Sequence, residues 1–197
     1  SLNSDWNMIS GITDAVDVTN IQDPAGIIIP GTVYGFDNGY AQADMIEPGN
    51  AYWLRTAEAG DVSLESREQD NDGNQNHNSI LRGTRSSWSI NFASASADAD
   101  YNLYFGFHPD ATDGYDGIGI DEYCPPAPPL GVIDAALVWG GERYYRQILN
   151  GSLDDLNVHE FGIALQYPSD NLIQVTWDNT GWSDGMSSCL LQDAFGG

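Results

Sequence analysis

Short runs of β-branched and aromatic residues, each closed by turn residues, recur along the chain and constrain its fold more than any other feature. Residues 32–36 form one such run; Asp37-Asn38-Gly39 follows, and Tyr40 resumes a partner strand. An Asn-Gly turn between such runs is a hairpin signal. Residues 51–55 follow a second turn, Glu47-Pro48-Gly49-Asn50. Residues 1–66 therefore predict a small antiparallel β module.

The second half of the chain alternates apolar with polar residues. This period of two is seen at 88–92, 101–107 and 161–167, and it is typical of half-buried strands. A proline-rich connector occupies 124–131. We therefore predict an all-β fold, in which the small antiparallel unit is followed by an immunoglobulin-like β-sandwich over 79–197. The almost wholly polar residues 67–78 predict a linker or loop between the two units.

The charge balance narrows the choice of partners. The chain has 29 Asp and Glu against six basic residues, all Arg, and a formal net charge of -23. This charge repels nucleic acid and anionic membranes, so neither is an expected partner. The sequence also lacks the run of about 18 apolar residues that a membrane span needs. The acidic excess favours divalent cations, a high-salt habitat, or solubility alone.

Catalytic motifs are absent from the sequence. There is no Gly-x-Ser-x-Gly nucleophile elbow. His77, His108 and His159 are isolated, and the zincin-like pair His159-Glu160 has Ile163 where a second metal-binding His is required. Paired carboxylates suited to glycoside hydrolysis are too numerous to single out any pair. We therefore predict that the protein is not an enzyme.

Two acidic segments could bind calcium, which prefers six to eight oxygen ligands. Residues 70–76 carry Asp or Asn at alternate positions, although Gly73 and Leu81 do not fit the EF-hand pattern. Four Asp within 110–121 repel one another unless a cation, solvent or turn hydrogen bonds offset their charge. Calcium is the predicted cofactor, and simple turn formation is the alternative. The candidate ligands are Asp70, Asp72, Asn74, Asn76, Asp110, Asp113, Asp116 and Asp121.

One aromatic residue and two cysteines complete the candidate sites. Trp182 lies in a loop sequence beside Asp184, where an exposed ring could stack on a sugar. Cys124 and Cys189 are 65 residues apart. A disulfide between them would stabilise an extracellular chain by about 4 kcal/mol on a loop-entropy estimate, and two free thiols are the alternative.

Three motifs in the first half resemble a module of bacterial secreted and cell-surface multidomain proteins. They are Trp6-Asn7-Met8-Ile9-Ser10, the hairpin sequence Tyr34-Gly35-Phe36-Asp37, and Glu47-Pro48-Gly49-Asn50-Ala51-Tyr52-Trp53. The usual form of the module has Leu in place of Met8 and Gly in place of Ala51. Residues 105–129 resemble the segment that often follows it. The resemblance implies exported β-sandwich modules, often upstream of type IX secretion sorting domains, with no known catalytic set.

These observations predict an extracellular or cell-surface location. The chain begins with Ser1 and shows no signal-peptide core, so we expect a processed piece of a longer precursor. The predicted function is a non-catalytic structural or adhesive module, a subunit of a surface filament or layer. Its partners would be further copies or other surface proteins, with calcium dependence as a secondary hypothesis. The alternative is a carbohydrate-binding module of a secreted enzyme.

Overall fold

The structure is a computed structural model. Among the residues that it describes there is no α-helix, and the predicted all-β class is confirmed. None of these residues lies in a helix with the length and apolar character to cross a bilayer. The described residues are 1–37, 39–65, 84–93, 98–117, 119–151, 157–168, 172–180, 187–193 and 195, with the backbone alone described for 84–93, 98, 99 and 172.

The described strands are numbered in chain order. One turn of 3-10 helix, Val18–Asn20, follows the second strand. The strands are β1 (Asp5–Ser10), β2 (Val16–Asp17), β3 (Tyr34–Phe36), β4 (Tyr40–Gln42), β5 (Met45–Ile46), β6 (Ala51–Thr56), β7 (Thr84–Ala93), β8 (Asp98–His108), β9 (Glu122–Tyr123), β10 (Asp134–Trp139), β11 (Glu142–Asn150), β12 (Gly162–Gln166) and β13 (Leu172–Asp178).

The N-terminal sheet has four antiparallel strands in the order β1-β6-β3-β4. The hairpin predicted around Asp37-Asn38-Gly39 is confirmed, since Phe36 pairs with Tyr40 across the turn. A two-stranded sheet of β2 and β5 lies apart from it in the hydrogen-bonding order. Their apolar side chains share a small core with β6, in which Ile46 and Leu54 are fully buried. This core stabilises the N-terminal module from within.

The larger sheet has seven strands. Its order is β12-β10-β11-β8-β7-β13, and β9 pairs with β11. The pairs are antiparallel except β8 with β11, which run parallel. The described strands of the second half thus belong to one sheet, and the finer prediction of an immunoglobulin-like pair of facing sheets is not confirmed. The main core includes Leu103 of β8, Leu137 of β10 and Tyr144 of β11.

The four-stranded sheet packs against the larger one. Trp6 and Ile29 contact the main core, and the Tyr34 hydroxyl donates a hydrogen bond of 2.8 Å to the carbonyl oxygen of Tyr123. The predicted linker, residues 67–78, lies outside the described residues. The two predicted units are therefore in direct contact through side chains of β1, β3 and β6.

Candidate functional site

A group of charged and aromatic side chains surrounds β9. This strand pairs antiparallel with β11, with a register shift between Tyr144 and Arg146. The Cys124 amide continues the pairing by donating to the Arg143 carbonyl at 2.8 Å. Pro125 and Pro126 follow directly, and prolines cannot donate to a ladder, so the short strand ends there. Residues 122–124 are thereby held along β11 in the larger sheet, where the Tyr123 carbonyl accepts from Tyr34 of the N-terminal sheet.

Arg55 on β6 reaches from the N-terminal sheet to the larger one. Its Nη1 and Nη2 donate to the two carboxylate oxygens of Glu142, each at 2.9 Å, and its Nε lies 3.1 Å from an oxygen of Asp5. The guanidinium carbon lies 3.7 Å from the centre of the Tyr123 ring. Burial alone would lower the pKa of Arg55, but the hydrogen bonds to Glu142 and the electrostatic interactions with Tyr123, Glu142 and Asp5 together outweigh it, and the pKa is raised. Arg55 is therefore a permanently charged tie between the sheets.

Arg143 and Arg146 hold the two neighbours of Tyr123. Arg143 donates to the buried Asp134 carboxylate and to the Cys124 sulfur at 3.4 Å. Arg146 donates to Glu122 at 2.9 Å. Glu122, Tyr123 and Cys124 are thus each contacted by a different arginine. We call Arg55, Arg143 and Arg146 the arginine clamp.

The predicted disulfide is not formed. Cys124 and Cys189 are both free thiols, the first buried and the second exposed. Cys124 is only 1% exposed, and its sulfur accepts a hydrogen bond from Arg143. Burial also raises the pKa of the Cys124 thiol. Because the thiolate is the reactive form, Cys124 is a structural thiol and a poor nucleophile.

Three tyrosine rings stack beside the clamp. The centres of Tyr115 and Tyr123 are 4.1 Å apart with their planes 16° from parallel, and Tyr144 continues the stack at 5.1 Å. Burial raises the pKa of Tyr115 to about 12 and raises those of Tyr123 and Tyr144. The rings are therefore neutral at physiological pH, and their contribution is packing beneath the Arg55 guanidinium.

The acidic loop 110–121 is stabilised by its own hydrogen bonds. The Asp116 carboxylate accepts from the Thr112 amide at 2.7 Å and from the Thr112 hydroxyl at 2.8 Å. The buried Asp121 accepts from the Asp116 and Ile148 amides, both at 2.8 Å. Burial raises the pKa of Asp121, and these two bonds oppose the rise. Asp121 therefore joins the loop to β11.

The other two acids of this loop do not complete a ligand set. The Asp110 amide is bonded to Nδ1 of His108 at 3.1 Å, and the Asp113 carbonyl accepts from the Trp139 indole at 3.1 Å. Within the described part of the chain, no three His, Cys, Asp or Glu side chains converge as a metal site. The described contacts of 110–121 are thus turn hydrogen bonds of the kind named in the alternative, and calcium binding by this loop stays a prediction.

The remaining candidate residues are not covered by the structure. The calcium-binding prediction for 70–76 and the sugar-binding prediction for Trp182 lie outside the described residues. The structure adds a different aromatic residue, Trp177 at the end of β13, whose side chain is half exposed. Trp177 is therefore a described aromatic residue with a ring face accessible to a ligand.

Sequence reasoning missed the arginine clamp. The sequence offered one signal for it, the small number of basic residues. The chain has six Arg and no Lys, and three of those Arg form the clamp. Arginine suits this role since its planar fork binds a carboxylate through two parallel bonds and stacks on an aromatic ring.

Comparisons with protein-family models, with curated proteins and with solved structures find no match to this chain. The resemblance to secreted bacterial modules stays a prediction.

Proposed function

We propose that this protein is a non-catalytic structural or adhesive module that acts outside the cell. The observation that carries the proposal is the use of its charged groups. Arg55 is bound to Glu142 across the two sheets, Asp134 is bound to Arg143 within the larger sheet, and Asp121 accepts from the backbone of β11. Groups engaged in this way hold the fold together and are not poised for acid–base or nucleophilic chemistry.

Apolar side chains, by contrast, remain on the surface. Met8 and Phe36 are exposed on the N-terminal sheet, and Val158, Leu190 and Phe195 are exposed in the second half. Exposed apolar groups support contacts with other proteins when they lie together on the surface. Sheet edges supply a second means of contact, because their backbone groups can pair with a strand from another chain. Both features support a role in assembly or adhesion.

Calcium dependence forms a secondary part of the proposal. It rests on the net charge of -23 and on the alternating oxygen side chains of 70–76. Light scattering over a range of protein concentrations, in calcium and in chelator, tests both parts. We expect the scattering mass to rise with concentration and the rise to be larger in calcium. A variant with Asp70→Asn and Asp72→Asn should lose the additional rise in calcium and keep the rise with protein concentration.

The outcomes separate the two parts. A scattering mass that stays at the monomer value in every condition contradicts self-assembly. A scattering mass that rises equally with concentration in calcium and in chelator contradicts calcium dependence and leaves the structural role.

A carbohydrate-binding module is the second candidate, and the half-exposed Trp177 on an outer strand favours it. Aromatic rings at such positions can stack on the apolar face of a sugar. A glycan array at millimolar ligand would show a retained glycan whose binding is lost in Trp177→Ala. Tyr167→Ala, at an exposed aromatic beside a different outer strand, is the matched control. An array with no retained glycan removes this candidate.

A further inference from the structure

One ion pair of the arginine clamp leaves a donor and an acceptor unused. Arg55 binds Glu142 through two bonds, from Nη1 and Nη2, whereas Arg143 binds Asp134 through a single bond, from Nη2 to Oδ2. Arg143 Nε and Asp134 Oδ1 are buried, and no group in the described part of the chain hydrogen-bonds to them. Nε shares its carbon with Nη2, and Oδ1 shares its carbon with Oδ2. The unused donor and acceptor therefore lie beside the existing bond.

This pair is enclosed by the protein. The Asp134 side chain is 2% exposed and that of Arg143 is 19% exposed. The buried Cys124 sulfur accepts from the same Arg143 nitrogen at 3.4 Å. A buried carboxylate oxygen or guanidinium N–H without a partner has lost its water with nothing in return, which is unfavourable. Such groups in folded proteins are nearly always bonded to protein or to an ordered water.

The Tyr145 hydroxyl is a third buried group for which the described residues supply no hydrogen bond. Burial raises the pKa of Tyr145, and the nearby Cys124 and Asp134 add to the rise. The hydroxyl therefore keeps its proton and can both donate and accept. The Tyr145 ring lies 6.0 Å from that of Tyr34 on the N-terminal sheet, so these groups lie where the two sheets meet.

Charge and hydrogen-bonding capacity define the ligand that fits these groups. A cation at Asp134 Oδ1 would be repelled by Arg143, and an anion at Arg143 Nε would be repelled by Asp134. The ligand must be neutral, accept from Nε and donate to Oδ1. Water does both, and a buried water typically makes about three hydrogen bonds to groups that otherwise have no partner.

We propose that one buried water molecule bridges Arg143 Nε and Asp134 Oδ1, with the Tyr145 hydroxyl as its third partner. The water completes the fork of Arg143 and satisfies all three groups in one site. This site lies inside a single chain, so it goes beyond the proposed function and does not depend on assembly.

The small number of arginines allows a direct test by nuclear magnetic resonance. With isotope labelling at the arginine Nε, the chain gives one signal for each of its six Arg, and through-bond correlation to the backbone identifies that of Arg143. The measurement is made in chelator, at a concentration where light scattering shows only monomers. A failure of the proposed self-assembly therefore leaves this test unaffected.

We expect the Arg143 Nε–H to show a nuclear Overhauser effect to water with the sign of a long-lived bound molecule. In the rotating frame its sign should be that of a dipolar contact and opposite to that of hydrogen exchange. The effect should persist in Tyr145→Phe, which removes a hydroxyl proton that could relay it. Arg146, whose side chain is 25% exposed, is the matched control and should show no long-lived water.

An independent count of bound water comes from relaxation dispersion of the water oxygen nucleus. Asp134→Leu combined with Arg143→Met removes both charges together, which a fold tolerates better than one unpaired buried charge. This variant should hold one long-lived water fewer than the unmodified protein. Glu122→Gln combined with Arg146→Met, at the more exposed pair, should leave the count unchanged.

Three results would overturn the proposal. One is the absence of the Overhauser effect at Arg143 in the unmodified protein, which needs no variant to fold. Another is an effect that disappears in a folded Tyr145→Phe, which would assign it to the hydroxyl proton. The third is a water count that does not change when Asp134 and Arg143 are replaced, or that falls equally in the control pair.

Discussion

Replacing Arg55 with methionine tests whether the two sheets are held together by the arginine clamp. Arg55 is 7% exposed and joins Asp5 and Tyr123 to Glu142 across the interface between the sheets. Methionine keeps much of the unbranched apolar stem and removes the guanidinium. The variant Arg55→Met therefore deletes the polar contacts while leaving most of the packing in place.

The expected loss follows from three contributions. Hydrogen bonds to charged groups are worth about 1.5–3 kcal/mol each, and a desolvated cation–π contact about 1–2 kcal/mol. Breaking a fully buried ion pair costs about 3–5 kcal/mol. The side chains of Glu142 and Asp5 are 39% and 59% exposed, so water can rehydrate them and only part of this cost applies. We expect Arg55→Met to lower the free energy of unfolding by about 3 kcal/mol.

A double-mutant cycle shows how much of this loss of unfolding free energy comes from the contact between Arg55 and Glu142. Glu142→Gln leaves Arg55 paired with Asp5 and should cost about 1 kcal/mol, but close to nothing when Arg55 is already methionine. Urea unfolding followed by tryptophan fluorescence gives each free energy. Arg146→Met is the matched control, since the Arg146 side chain is 25% exposed against 9% for Arg55 and forms an ion pair with one carboxylate, that of Glu122, instead of two. It should cost only about 0.5–1 kcal/mol.

Two results would refute the reasoning. One is a loss in Arg55→Met no larger than in the Arg146 control. The other is a Glu142→Gln effect that is unchanged by the Arg55 substitution, which would mean that the two side chains are not energetically coupled.

Three further predictions concern the thiols, the tyrosines and one close backbone contact. A thiol reagent should label Cys189 at once and Cys124 only after denaturation, whereas a native disulfide would leave neither available. Burial raises the pKa of Tyr101 to about 12, against 10 in the unfolded chain, so its stabilising contribution is complete below pH 10. That contribution falls by about 3 kcal/mol as the pH rises through 12; Tyr101→Phe should show a shallower alkaline loss of stability, and an unchanged pH profile would contradict this. Gly11→Ala should cost several kcal/mol, roughly as an overpacked core site does, because the new Cβ would lie 2.0 Å from a backbone oxygen. Gly114→Ala, whose Cβ would meet nothing closer than 3.4 Å, should be nearly neutral in the same urea titration.

Secondary structure that depends on neighbouring residues could be predicted from the sequence. The hairpin through Phe36 and Tyr40 was predictable because an Asn-Gly turn fixes its own geometry. The alternation at 161–167 and 101–107 likewise led to β12 and β8, because one face of each strand is apolar. In both cases the signal lies within a few residues of the structure that it specifies.

The pairing of strands and side chains that lie far apart in the sequence could not be predicted. The parallel pairing of β8 with β11 joins Tyr104 to Arg146, and no local pattern shows that these strands are neighbours. The Arg55–Glu142 tie spans 87 residues and was missed for the same reason. Whether Cys124 forms a disulfide or stays a free thiol was left open by the sequence, because sequence separation gives no information on burial. The acidic loop was recognised, but only the structure shows that Asp116 and Asp121 accept backbone amides.

The most direct test of the proposed structural role is electron microscopy of the concentrated protein, with calcium and with a chelator. We expect ordered filaments or sheets in calcium that disperse in chelator. Ordered assemblies in both conditions would retain the structural role without calcium. Dispersed monomers in both conditions would contradict self-assembly and favour the sugar-binding alternative.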